Sequence, residues 1–184
     1  GEQLRHARRL RDYYGADARF VQADVTRVPL AADAFDLAFS EWAFQLVADL
    51  DAALAEARRL LRPGGVLLLS VPHPFREAVD DEAGRVERPY RDRSRRTIEI
   101  DEAYEAEMVV FDRSVGELHR ALVDAGFVVE RILEPDPDDG EASAGDSDDE
   151  SGGSDKGDAA AALPRDLRFW ARVPDGPEGA GRFP

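Results

Sequence analysis

Several places in the chain put chemically useful residue types where ligands commonly bind. Asp24 follows a short β-rich run, Arg19-Phe20-Val21-Gln22-Ala23, and Val25 is next to it. A carboxylate at the carboxyl edge of a parallel sheet faces the crevice where ligands bind. The same residue type also closes Asx turns at strand ends, and both readings stand. Ser40-Glu41-Trp42 leaves a second run, Phe35-Asp36-Leu37-Ala38-Phe39. Ser40 offers a carbonyl and a hydroxyl. Trp42 and Phe44 either wall a pocket that attracts a cation to their faces or pack beneath the next helix. His73, held between Pro72 and Pro74, follows the apolar run Val66 to Val71. It could orient a substrate or take its proton, or it has no chemical task. Phe75, Tyr90 and Tyr104 lie just beyond it and join His73 as candidate substrate contacts. The cluster Arg91, Arg93, Arg95 and Arg96 either binds an anion or solvates a segment that also carries Asp80, Asp81 and Glu82.

The elements that must position these groups alternate. Gln3 to Tyr14, with Leu4, Ala7 and Leu10 at helical spacing, predicts an amphipathic helix ended by Gly15. Arg19 to Ala23 predicts a strand, Val25 to Ala34 a loop, and Phe35 to Phe39 a strand. Leu50, Leu54, Ala57 and Leu61 mark the buried face of a helix from about Asp49 to Leu61. Pro63-Gly64-Gly65 then turns the chain into the strand Val66 to Val71. It precedes a strand rather than a helix, so it is no phosphate cradle. Residues 73–112 read as a charged, irregular insertion of the kind that often carries function. Ser114 and Glu117 form a capping box for a helix whose apolar face is Val115, Leu118, Leu122 and Val123. Phe127 to Leu133 and Leu167 to Val173 are the last strands. Strand, helix and strand in alternation argue for parallel βαβ units.

Composition narrows the classes. The 184 residues carry a net charge of −15, and Glu134 to Asp158 alone holds −10 of it. That field repels nucleic-acid phosphate and disfavours a DNA- or RNA-binding role. Residues 135–162 contain few large apolar side chains, so a disordered acidic loop, dispensable for folding, is expected there, followed by a tail at 175–184. There are no cysteines, which excludes disulfides, thiol nucleophiles and Cys-bound zinc. His6, His73 and His119 are too scattered to make a metal pair, so no metal is expected. No segment reaches the roughly 20 apolar residues of a membrane span. Gly1-Glu2-Gln3 does not open a signal peptide. One lysine against 23 arginines, with abundant Asp, Glu and Ala, suggests a cytoplasmic protein from a salt-loving, GC-rich organism or simply a GC-rich genome plus one acidic loop.

Taken in order, Ala23-Asp24-Val25, Val28-Pro29-Leu30, Ala34-Phe35-Asp36 and Leu60-Leu61-Arg62-Pro63-Gly64-Gly65 resemble the class I, Rossmann-like S-adenosylmethionine (SAM)-dependent methyltransferases. Ser70-Val71-Pro72-His73-Pro74-Phe75 and Ala125-Gly126-Phe127, with Glu134-Pro135 after it, look like the small-molecule branch. The resemblance covers Gln3 to Leu133 and Leu167 to Pro174. It implies an α/β fold with a mostly parallel sheet and an antiparallel last strand. The domain would be 1–134 plus 163–174, with 73–112 a substrate-side insertion. It implies SAM as cofactor, a small-molecule substrate, and in-line displacement at the sulfonium methyl driven by proximity and orientation. It places the adenine amino group on Asp24, a ring nitrogen on the Val25 amide, and the sulfonium end beside Ser40, Glu41 and Trp42. No catalytic residue is assigned.

The family's first strand, Gly-rich turn, first helix and second strand have no counterpart here, so the resemblance is to an N-terminally truncated domain. These 184 residues alone are therefore expected to bind no SAM measurably, and to leave a sheet edge unpaired. A non-catalytic remnant or partner-binding module is the alternative reading. A nicotinamide-dependent dehydrogenase is weaker, because it needs a Gly-x-Gly-x-x-Gly turn absent from this chain.

Overall fold

The computed structural model describes residues 2–80, 85–90, 95–99, 107–135 and 163–176. Tyr104, Arg91, Arg93, Asp81, Glu82, the acidic stretch from Asp136 to Ala162 and the tail beyond Gly176 lie outside the described residues.

Its centre is a four-stranded sheet: β1 (Phe35–Glu41), β2 (Leu61–Pro72), β7 (Val128–Leu133) and β8 (Asp166–Arg172), in the order β1-β2-β8-β7. β1 and β2 pair in parallel, and β8 runs antiparallel to both β2 and β7. Thus β1, β2 and β7 point one way and β8 the other, the mostly parallel sheet with an antiparallel last strand that the sequence implies.

Helix α2 (Leu50–Leu60) starts at Asp49, whose side chain accepts from the Ala52 amide. Helix α3 (Val115–Asp124) starts at Ser114, and the capping box with Glu117 is complete. Both cover one face of the sheet. Leu54, Leu61, Leu67, Leu69, Leu122 and Phe169 fill the core between them. The alternation along β8 follows from this: Leu167, Phe169 and Ala171 are buried while Arg168 and Trp170 turn outward. Val123 also faces outward, 47% exposed, and Ala121 takes its place against the sheet.

β2 begins five residues earlier than the apolar run suggests. Phe35 pairs with Leu61, and Leu37 already pairs with Val66, so Pro63-Gly64-Gly65 is a bulge inside the strand. Gly64 has φ +75°, and a Cβ on Gly65 would stand 2.8 Å from the Arg62 carbonyl oxygen. Only glycine suits both demands.

Two expectations are corrected. Arg19 to Ala23 forms no strand; only an isolated bridge joins Asp24 to Arg27. A β-rich run becomes a strand only when another strand's amides and carbonyls pair with it, and none among the described residues does. The described residues of 73–112 are not irregular. They contain a 3-10 turn at Arg76–Ala78 and four strands: β3 (Val79–Asp80), β4 (Arg85–Val86), β5 (Arg95–Glu99) and β6 (Glu107–Phe111). These make two small antiparallel pairs, β3 with β4 and β5 with β6. β-branched residues, Thr97 and Ile98 on one strand and Val109 and Val110 on the other, favour the second pair.

Helix α1 (Glu2–Tyr14) forms as its spacing predicts, with Gly15 beyond it at φ +63°, yet it buries no residue. No described strand flanks the free edge of β1. No helix among the described residues is long and apolar enough to cross a membrane.

Candidate functional site at the carboxyl edge of the sheet

The carboxyl ends of β1, β2 and β7 and the start of β8 converge on one edge. Ser40, Glu41 and Trp42 come from β1 and the residue after it, Ser70 and His73 from β2 and just beyond, Glu134 from the end of β7, and Asp166 from β8. Hydrogen bonds join them. The Trp42 amide donates to the Ser70 carbonyl at 3.0 Å and the His73 amide to the Arg165 carbonyl at 2.8 Å. The Trp42 indole donates to Asp166 Oδ1 at 2.9 Å.

Trp42 and Phe44 part company. Phe44 is in the core, whereas Trp42 is 51% exposed. Trp42 also sits at φ +50°, in the left-handed region. For a bulky residue that backbone costs about 1–3 kcal/mol and persists only where surrounding contacts impose it. Gln45 helps, donating to the Trp42 carbonyl at 2.7 Å. Three side-chain oxygens near this edge are buried with no hydrogen-bond partner among the described residues: Ser40 Oγ, Ser70 Oγ and Gln45 Oε1. Glu41 is exposed at the strand end.

His73 is buried, and both its nitrogens are engaged. The Phe75 amide donates to Nδ1 at 3.2 Å, and Nε2 lies 2.9 Å from Glu134 Oε1. An amide only donates, so Nδ1 is the acceptor and Nε2 carries the proton toward the carboxylate. In this arrangement His73 ties the end of β2 to the end of β7 and has no free lone pair for a substrate proton.

Phe75 and Tyr90 meet edge to face, with ring centroids 6.2 Å apart. The Tyr90 hydroxyl accepts from the Val115 amide at 3.0 Å, which gives it a role at the start of α3 that spacing did not suggest. A cavity of about 50 Å³ lies beneath the insertion, lined among others by Gln45, Pro72, Pro74, Tyr90, Val110 and Arg113. It has room for a few water molecules and is too small for a substrate.

Of the basic cluster, Arg95 and Arg96 are among the described residues, and Arg96 is held by carboxylates of the insertion rather than turned to this site. Arg96 is bound to Asp112 and to Glu77, 2.7 Å away, and the Asp112 bond raises its pKa. Arg88 pairs more loosely with Asp112 at 3.6 Å. Arg113 is half-buried and donates to four carbonyls, those of Phe44, Val47, Ala48 and Phe111. Burial pushes its pKa down. It fastens the turn after β1 to the end of β6.

Asp24 stands apart from these groups in sequence and is exposed. Its Oδ1 accepts from the Thr26 amide at 2.9 Å and the Thr26 hydroxyl at 2.8 Å, an Asx turn. These bonds lower its pKa, the amide first. Its second oxygen has no partner among the described residues. The following loop is clipped to α2. Glu56 accepts from the Val28 amide at 2.7 Å, and Arg59 donates to the carbonyls of Val28 and Leu30. Val25 is exposed beside Asp24. Among the described residues no group of His, Cys, Asp and Glu could hold a metal.

Gln45, Glu134 and Asp166 belong to this edge, and of these the sequence marks only Glu134, as part of the family pattern and not as a site residue. Nothing local marks their role at this edge, since their partners lie elsewhere in the chain.

Residues 1–69 match the family described as "Methyltransferase domain". A malonyl-[acyl-carrier protein] O-methyltransferase from Methylovorus sp. (strain MP688) is 45% identical over 62 residues, 33% of this chain and 21% of that enzyme. The chain thus spans about a fifth of the curated relatives it matches first. Among solved structures, an S-adenosylmethionine-dependent methyltransferase from Mesorhizobium loti aligns with TM-score 0.61 and 26% identity, covering 87% of this chain and 73% of that one. The Burkholderia thailandensis 1,6-didemethyltoxoflavin-N1-methyltransferase, with bound 1,6-didemethyltoxoflavin and S-adenosylhomocysteine, aligns with TM-score 0.52 and 19% identity. It covers 90% of this chain and 55% of that one, and at this identity shares the fold alone.

Proposed function

We infer that this chain, a Rossmann-like methyltransferase fold with a methyltransferase-domain match over residues 1–69, belongs to an enzyme that transfers a methyl group from SAM to a small molecule. The family match carries the reading. The geometry at the carboxyl edge supports it.

SAM joins an adenosine to a sulfonium cation, and the residues present suit both ends. Asp24 keeps one carboxylate oxygen for the adenine amino group, and its lowered pKa keeps it charged. The amide of the exposed Val25 is next to it. The segment after Asp24 runs along α2, from Val28 at Glu56 to Asp33 and Ala34 at the last helical carbonyls. Asp24 therefore lies back toward the carboxyl ends of the strands. At that edge the orphaned Ser40 hydroxyl, the Glu41 carboxylate and the open Trp42 face suit a cation. When bound, SAM supplies an electrophilic methyl group. The chain supplies position: a fixed cofactor end and an acceptor held in line give most of the rate.

The domain division proposed is 1–134 with 163–174, and 73–112 as the acceptor side. His73, Phe75 and Tyr90 would border the acceptor, with His73 holding the wall rather than taking a proton. The 50 Å³ cavity beside them is too small for an acceptor, so the acceptor would lie at the open carboxyl edge. The relatives' names favour a small-molecule or carrier-bound acceptor. The acidic field disfavours nucleic-acid partners, and the Lys-poor, acidic composition favours a cytoplasmic, salt-adapted setting with no membrane partner.

Calorimetry with S-adenosylhomocysteine on the whole protein tests this. Asp24→Ala is expected to weaken binding roughly tenfold to a hundredfold, the loss of one charge-assisted hydrogen bond. Equal affinities would reduce Asp24 to an Asx-turn residue. No binding by the wild type would overturn the cofactor reading.

A further inference from the structure

Trp42 combines features that rarely occur together. It is a large aromatic residue, half exposed, on left-handed backbone. A residue buried for packing would hide its ring, and a surface turn would use Gly or Asn at this φ. Trp42 does neither, and three hydrogen bonds hold it where it is. Its amide is fixed to β2 at Ser70 and its carbonyl to Gln45. Its indole is fixed to Asp166, 124 residues away in sequence, on the strand beyond β2.

Asp166 is itself well fixed. It opens β8 opposite Pro72, its Oδ2 accepts from Arg168 at 2.9 Å, and its side chain is only 19% exposed. A half-buried carboxylate thus anchors the polar end of a half-exposed ring, leaving the ring's apolar surface open at the carboxyl edge. The backbone and the indole are held independently, so ring orientation depends on Asp166 and not only on the turn.

We propose that Asp166 is a positioning residue that holds the Trp42 indole across the carboxyl edges of β1 and β2, so that Trp42 forms a fixed wall of the methyl-transfer site. The clamp stands on the geometry alone, whereas the wall rests on the methyl-transfer reading above. Asp166 touches neither cofactor nor substrate and acts through Trp42.

The test uses the whole protein, ¹H–¹⁵N spectra and S-adenosylhomocysteine as the probe. The Trp42 indole signal is the one lost in Trp42→Phe. Asp166→Ala is expected to shift that signal and speed its exchange with solvent. Asp166→Asn keeps an acceptor oxygen and restores it. Asp166→Ala is expected to weaken S-adenosylhomocysteine binding about threefold to tenfold, and Asp166→Asn hardly at all. On a Trp42→Phe background, Asp166→Ala should add nothing. If Asp166→Ala fails to fold, as circular dichroism would show, Asp166→Asn and the Trp42→Phe comparison still decide the matter through the indole signal and the affinity. An unchanged indole signal in a folded Asp166→Ala protein overturns the clamp. Equal weakening with and without the indole shows that Asp166 acts by another route. A probe that binds without moving the Trp42 signal overturns the wall and leaves the clamp. A probe that fails to bind the wild type overturns the methyl-transfer reading, and the indole signal still judges the clamp.

Discussion

Glu56 shows how a single side chain sets the course of a loop. Its side chain is only 11% exposed, and it accepts from Arg59 and from the Val28 amide. Those bonds, Arg59 first, hold its carboxyl at about 2, below the ordinary carboxylate range. A depressed carboxyl stabilises the fold above its ordinary pKa, and that contribution is lost as pH falls toward the folded value. The wild-type melting temperature is therefore expected to fall more steeply than that of Glu56→Gln from about pH 5 down to about pH 2, where the two converge. Melts across that range check it, and parallel curves would mean that the clip adds no net stability. His73 teaches a related lesson. Its residue type suggests a base, but its two bonds make it a brace between β2 and β7.

At the scale of elements, β7 and β8 make the clearest case. Leu133 pairs with Arg168, so the ends of the two strands are neighbours, although 34 residues separate them in sequence. Antiparallel neighbours need only a short turn to join them. Replacing 136–162 with a short Gly/Ser linker is therefore expected to leave the melting transition nearly unchanged in high salt, where charge repulsion within the acidic stretch is screened. A large loss of cooperativity in a thermal melt would show that the stretch packs on the domain. The insertion behaves differently. Its strands are tied down by ion pairs, Arg96 to Glu77 and Asp112, and by Arg113 holding the turn after β1. Arg96, one of the charges that look like an anion site in sequence, is used internally.

For the molecule as a whole, the sheet is covered on one face only among the described residues. On the other, Leu37 and Phe39 of β1, Leu133 of β7 and Trp170 of β8 remain exposed, Phe39 by 65%. A shallow groove of about 280 Å³ runs between Phe39, Leu68, Leu133 and Trp170. Contiguous apolar surface of this kind, beside the unpaired edge of β1, drives association. The 184-residue chain is expected to self-associate at micromolar concentration, and Leu37→Ser with Phe39→Ser to reduce this. Light scattering decides it, and a monodisperse wild-type monomer would refute the expectation. What the sequence determined by itself is local: the helices and their caps at Asp49 and Ser114, the glycine turns at Gly64 and Gly126, and the alternation along β8. Each depends on residues a few positions apart, so periodicity and cap chemistry reveal it. The strand order β1-β2-β8-β7, the failure of 19–23 to become a strand, the Trp42–Asp166 clamp and the His73–Glu134 brace were decided only in three dimensions. A ladder or a hydrogen bond needs its partner, and here the partners lie 61 and 124 residues away, brought together by packing of the whole sheet.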